Sequence, residues 1–198
     1  LASASTSADV VAALDSSGLM NAPTQGLNLM GPDTARSIGQ AYSDICSKFP
    51  FLAGNIGRAN CSRLGSSTYG QCLMSTGAID FNTKYYGRGN EASFAASFSN
   101  CISTQFHPQG VMSKGAAYAV ASHELWHAIE GRLEKLMKAA GVDTTEKRKK
   151  RYFISGRVKD KVLSNLSLVD DRSVIKAELS EYAAMDSAEF FAEAVSEY

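Results

Sequence analysis

The segment Ala121-Ser-His-Glu-Leu-Trp-His-Ala-Ile-Glu130 constrains this chain more than any other. Its two histidines stand four residues apart in a strongly apolar run that includes Ala116, Ala117, Ala119, Val120, Ala121, Leu125, Ala128 and Ile129. Such a run reads as a helix packed into a core. On a helix, positions i and i+4 share one face, so His123 and His127 point the same way with Glu124 beside them. Burying two imidazoles and a carboxylate is costly unless they have partners. A metal ion supplies one: H-E-x-x-H offers two imidazole ligands and a carboxylate able to hold a water on the metal. The competing reading is coincidence, with Glu124 solvated or capping a neighbour, and the apolar flanks count against it.

Two histidines leave a catalytic zinc site one protein ligand short. The stretch from Ser180 to Tyr198 offers Glu189 and Glu193, four apart on a helix that Phe190, Phe191, Ala194 and Val195 pack into the core. That spacing lets one glutamate bind metal while the other hydrogen-bonds an imidazole from behind. Glu189 has an equal alternative. Asp186 suits a helix N-cap, and Glu189 is then the returning half of a capping box. Glu193 can equally be an exposed helix residue.

Taken in order, these two segments resemble zincin metallopeptidases of the gluzincin type, in particular the anthrax lethal factor catalytic domain family and related phage-associated and clostridial zincin domains. In that family the H-E-x-x-H helix is followed, tens of residues later, by Tyr-x6-Glu-Phe-Phe-Ala-Glu-Ala. Here the motif stands as Tyr182 and then Glu189-Phe-Phe-Ala-Glu193-Ala194. The resemblance covers these two segments and, more loosely, the strand before them, but not residues 1–70. One departure is Trp126, where such motifs often carry glycine; its ring is expected to reshape packing behind the helix without touching the ligands.

The resemblance implies an α+β, zincin-like fold, helix-rich, with a small mixed sheet whose edge strand lies over the metal-site helix. It implies one Zn2+ per chain, held by His123, His127 and Glu189. Glu124 is then the general base, Tyr182 donates its phenol to the oxyanion of the tetrahedral intermediate, and Glu193 stands behind the histidines. Zincin substrates pair with the edge strand as extended peptides. Gly77–Tyr85 fits that role through Ile79, Asp80, Phe81 and Asn82, with Asp80, Asn82, Lys84 and Tyr85 colouring specificity. The same alternation also suits an ordinary central strand. The implied function is a zinc-dependent endopeptidase acting on a peptide or protein substrate. The alternatives are hydrolysis of another amide at the same site, or a zincin-like structural or interaction domain of a larger phage or toxin polyprotein without peptidase activity.

The chain's 198 residues suit one domain, expected as a loosely structured segment 1–32, a sheet-bearing lobe 33–140 with the H-E-x-x-H helix, and a helical lobe 141–198 with the third ligand. Zero formal net charge argues against nucleic acid as the main partner. No apolar run approaches the ~20 residues a membrane-spanning helix needs. The chain starts at Leu1 without methionine, as expected of a processed or cut form, and secreted and phage-associated settings are both open.

Cys46, Cys61, Cys72 and Cys101 contain no C-x-x-C pair. They read as two disulfides, with Cys61–Cys72 the favoured pair, or equally as four reduced thiols. Spacing predicts helices over Ser7–Ser16, Asp33–Lys48, Phe94–Ile102 and Ser113–Ala140, the last stopped by Gly141. Gly54–Gly70 reads as loop and Cys72–Tyr86 as one strand. The basic residues from Lys147 to Lys161 read as a solvated helix face. His107, in a turn before Pro108, reads as a surface residue and not a ligand.

Overall fold

A computed structural model describes residues 5–107, 114–144 and 153–196 of the chain. The first helix, α1 (Ser7–Ser16), begins at a capping box: the Thr6 hydroxyl accepts from the Asp9 N–H, and the Asp9 carboxylate accepts from the Thr6 N–H. Val10 and Leu14 of this helix are buried, as are Leu27 and Met30 beyond it. The segment 5–32 therefore sends buried anchors into the core, where a loosely structured segment was expected. Serines, glycines and asparagines separate these few apolar anchors and mask their common destination. The next helix, α2 (Pro32–Lys48), starts with proline at its first position. It buries Ala35, Ile38, Ala41, Tyr42, Ile45 and Cys46, the residues its periodicity selected.

The sheet has three strands, β1 (Ala59–Ser62), β2 (Gly70–Leu73) and β3 (Ala78–Asn82), in the order β1-β3-β2. β1 runs parallel and β2 antiparallel to β3. The architecture is thus α+β, helix-rich with a small mixed sheet. Three expectations change here. The single strand Cys72–Tyr86 is a hairpin: Gly77, at φ +72°, turns the chain between β2 and β3. Asn82 then caps the one-turn helix α3 (Thr83–Tyr86) by accepting from the Lys84 N–H. The Gly54–Gly70 stretch contains β1. Finally, Ile79, Asp80, Phe81 and Asn82 lie on the central strand, whose two edges are both taken, so they cannot receive a peptide by strand addition. The edge next to the H-E-x-x-H helix belongs to β2.

Cys61 pairs in register with Phe81, and Cys72 with Ile79 on the other side of β3. Two strand spacings of about 4.8 Å separate them, beyond the ~7 Å between α-carbons that a disulfide tolerates. The four cysteines are free thiols, so the Cys61–Cys72 pairing is not formed.

Among the described residues, four longer helices and one short one follow: α4 (Glu91–Ser103), α5 (Ala116–Ala139), α6 (Phe153–Asn165), α7 (Arg172–Glu178) and α8 (Ser187–Ser196). α5 crosses the molecule, packing on α2, β2 and α8. At Gly131 it lies so near the hairpin that a β-carbon there would sit 2.4 Å from the Met74 carbonyl oxygen. One apolar cluster gathers α1, α2, the sheet, α4 and α5. A second joins Leu163, Ile175, Ala183, Ala184 and Phe190 from the C-terminal helices.

Trp126 stands edge-on to Phe49 and Phe191, on the side of α5 away from the sheet edge. Of the basic stretch, Lys147–Arg151 falls outside the described residues, as do Ser113 and the turn Pro108–Gly110. Arg157 and Lys161 are exposed, but Lys159 is buried and paired with Asp170 at 2.9 Å, so it is not part of a solvated face. No helix among the described residues is long and apolar enough to cross a membrane.

Candidate metal centre

His123 and His127 project from one face of α5, as their spacing requires. Their Nε2 atoms are 3.1 Å apart. Glu189, from the first turn of α8, places Oε2 3.1 Å from His123 Nε2 and 3.3 Å from His127 Nε2. Three donor atoms therefore converge on one point from two helices, and these three residues form a cluster that could hold a metal ion. Zinc–donor bonds of about 2.0–2.2 Å in a tetrahedral shell put ligand atoms roughly 3.3–3.6 Å apart. The observed triangle is within a few tenths of an ångström of that, and a His2Glu set is a known catalytic zinc set. The residues present fit the metal.

The local sequence explains why Glu189 is available. Asp186 Oδ1 accepts from the backbone N–H groups of Ala188 and Glu189, at 2.8 and 3.0 Å, and caps α8 alone. Glu189 does not reach back to complete a capping box; its carboxylate turns to the histidines. Glu193, one turn on, is buried and not exposed. Its Oε1 lies 2.9 Å from His123 Nδ1, off the line of the ring N–H, and its Oε2 accepts from the Ser180 hydroxyl at 3.1 Å.

The imidazoles and carboxylates of the cluster shift one another. Burial disfavours charge on His123, but the carboxylates of Glu189 and Glu193 outweigh it and raise its pKa well above the ordinary histidine value. Burial also opposes ionisation of Glu189, yet its bonds to the two histidines hold it well below the usual carboxylate range. Glu193 is lowered in the same way by His107 and His123.

Glu124 faces the sheet, and burial raises its pKa although both histidines pull the other way. The carboxylate accepts a backbone hydrogen bond from Cys72 on β2. That bond fits the sheet's parity. The N–H of Asn82 donates to Tyr69 and that of Ile79 to Arg58 on β1, so alternate residues of β2 turn away from β3. Gly70 and Cys72 are the outward-facing ones, and they border the site.

Tyr182 is anchored by its N–H, which donates to the Phe106 carbonyl at 3.1 Å. Its ring centre stands 5.7 Å from that of His123. Burial raises the phenol's pKa far above its ordinary value, and the carboxylates of Glu189, Glu124 and Glu193 add to this. Two hollows meet at Glu124 and Tyr182. One, of about 710 Å³, is walled by Tyr69, Tyr85, Phe98, Phe106 and Val120; the other, about 580 Å³, runs along Gln71–Ser75 toward His127 and Glu189.

The sequence-derived residues His123, Glu124, His127, Tyr182, Glu189 and Glu193 thus come together, and Ile79, Asp80, Phe81 and Asn82 do not. Two features were missed. The edge strand is β2, which Ser75-Thr-Gly77 between two short runs signals as a hairpin arm. His107 is half-buried, 3.2 Å from Glu193, and not a surface residue. Compared with protein-family models, with curated proteins and with solved structures, the chain matches none.

Proposed function

We propose that this chain is a zinc-dependent endopeptidase of the zincin type. The observation that carries the reading is the triangle of His123 Nε2, His127 Nε2 and Glu189 Oε2, with sides of 3.1–3.3 Å, beside an open cleft. A structural zinc site is closed by four protein ligands, whereas a catalytic one keeps a position free. Here the donors line the two hollows that meet at Glu124 and Tyr182, residues that a purely structural or interaction domain has no need of.

When bound, zinc supplies a Lewis acid that polarises a carbonyl and makes water acidic near neutral pH. The chain's own groups do the rest. Glu124, its pKa raised by burial, takes the proton of the attacking water and returns it to the leaving amine. Tyr182 keeps its proton and donates the phenol O–H to the oxygen that gains charge as the carbonyl becomes tetrahedral. The substrate lies extended along β2, where the outward N–H and C=O of Gly70 and the C=O of Cys72 offer main-chain pairing with little sequence demand, the Cys72 N–H being held by Glu124.

The test combines metal content with turnover. Purified protein should carry about one zinc per chain, and Glu124→Gln should keep that zinc while losing turnover on a peptide library. Wild type that takes up no zinc after reconstitution, or a Glu124→Gln variant with full activity, sinks the proposal. A protein that hydrolyses other amides but no peptide keeps the chemistry and replaces the substrate.

A further inference from the structure

We propose that His107 is a positioning residue of the metal centre: its Nδ1–H anchors the Glu193 carboxylate behind His123, and its ring, wedged beside Phe98, supports Tyr182 at the cleft. The inference rests on the zinc reading above, and no motif of the chain announced it.

The geometry begins at the end of α4. Phe106 N–H donates to the Cys101 carbonyl at 2.8 Å and Gln105 N–H to that of Ile102 at 2.9 Å, the paired bonds of a Schellman stop. The left-handed position of that stop, normally glycine, is Gln105 at φ +57°. A side chain in this conformation costs roughly 1–2 kcal/mol and persists where surrounding contacts fix it. Two backbone hydrogen bonds supply such contacts. The carbonyls of Gln105 and Phe106 accept from the N–H groups of Glu181 and Tyr182, at 2.9 and 3.1 Å. The segment carrying His107 is therefore latched to the segment carrying Tyr182.

The imidazole has neighbours on several sides. It stacks on Phe98 with ring centres 5.2 Å apart and planes 25° from parallel. It stands edge-on to Phe106 and to Tyr182, each at 5.1 Å. Its Nδ1 is 3.2 Å from Glu193 Oε1. A carboxylate partner requires Nδ1 to carry the hydrogen, which fixes the tautomer. Glu193 is thereby held from both ends, by His107 on one oxygen and by the Ser180 hydroxyl on the other, and Oε1 is the atom that faces His123 Nδ1. Outer partners of this kind orient a ligating imidazole and typically account for about 10–100-fold in metal affinity. His107 is not itself part of the three-donor cluster.

Zinc affinity, measured by competition with a chromophoric chelator, tests the assignment. His107→Ala should bind zinc about 10–100-fold more weakly than wild type. His107→Asn places an amide N–H where Nδ1 lies and should recover most of that loss, whereas His107→Gln places it at Nε2 and should not. In a Glu193→Ala background, His107→Ala should change affinity by less than about twofold, because the two residues act in series. If His107→Ala fails to fold, the Asn and Gln variants decide alone. Equal affinities for Asn and Gln, a wild-type affinity for Ala, or an undiminished loss in the Glu193→Ala background overturns the role of His107 while leaving the metal reading intact. Wild type that binds no zinc removes the metal reading first.

Discussion

Gly70 on β2 and Glu124 on α5 are so close that a β-carbon on Gly70 would lie 3.1 Å from Glu124 Cγ and 3.3 Å from Oε1. Val120 Cγ1 stands at 3.1 Å from the same point. Only glycine lets the edge strand press directly on the carboxylate that the proposed mechanism uses as a base. Gly70→Ala must therefore displace Glu124 by a few tenths of an ångström. Misplacement by about 1 Å can cost on the order of 10²-fold in rate, so a loss of roughly tenfold in kcat is expected with zinc content unchanged. Steady-state kinetics beside metal analysis checks it; equal kcat in the two proteins contradicts it.

Tyr182→Phe removes the phenol oxygen but keeps the ring that contacts Phe106, His107 and His123. Turnover should fall about 10²–10³-fold, the usual effect of losing one oxyanion donor, while the purified variant still carries about one zinc per chain. Because burial and three carboxylates raise the phenol's pKa, Tyr182 should produce no loss of activity between pH 7 and 9. A variant with wild-type turnover assigns Tyr182 to packing alone.

Metal binding should release a proton. In the metal-free protein, Glu189 and Glu193 keep His123 protonated above the ordinary histidine range despite burial. Zinc must displace that proton, so affinity should rise by up to about tenfold per pH unit from pH ~6.5 until the raised pKa is passed. Calorimetry in two buffers of different ionisation enthalpy counts the protons released. Glu189→Ala should lose far more than tenfold in affinity, since it removes a donor from a three-donor set. Binding with no proton release near neutral pH would contradict the charge assignment at His123.

Glu130 carries a separate prediction. It is fully buried on α5, and its Oε1 accepts from the Ser155 N–H at 2.7 Å. Burial raises its pKa, Glu134 adds to this, and the bonds from Ser155 oppose it. A carboxyl group raised in the folded state binds more protons there than in the unfolded chain. Its contribution is thus most favourable below about pH 4.5 and is lost as pH rises through the folded value. Glu130→Gln should be more stable than wild type at pH 8, on the order of 1 kcal/mol or roughly 2–4 °C in Tm for a chain of this size. The difference should vanish near pH 4. Thermal unfolding across that range decides it, and a constant difference at every pH refutes the titration argument.

Helices with long apolar periodicity were legible in the sequence: α2 and α5 lie within a few residues of their expected bounds, because each repeats its apolar face over four or more turns. The H-E-x-x-H pair and the Glu189/Glu193 pair were legible for the same reason, since one helical face fixes both members. The sheet was not. β1 has four residues, two of them the polar Asn60 and Ser62, so no periodicity can develop; its strand character comes from pairing with β3. β2 and β3 merged into one apparent strand because the turn at Ser75–Gly77 interrupts them only briefly. His107 was misread because Pro108 suggests a surface turn, whereas its burial comes from Phe98 and from Tyr182, 75 positions along the chain.

The two apolar clusters meet where α5 packs on α8, and the three residues that could hold a metal straddle that seam, two on one side and one on the other. An ion held there would be a tie between the two clusters as much as a reagent. Ligand linkage makes its stabilisation about 4 kcal/mol when free zinc exceeds the dissociation constant a thousandfold, comparable with a large part of a domain's total stability. On the proposed reading, withdrawal of zinc by a stronger chelator would do more than stop turnover: it would loosen the C-terminal helices from the rest of the molecule, so that metal supply would govern the lifetime of the protein as well as its activity.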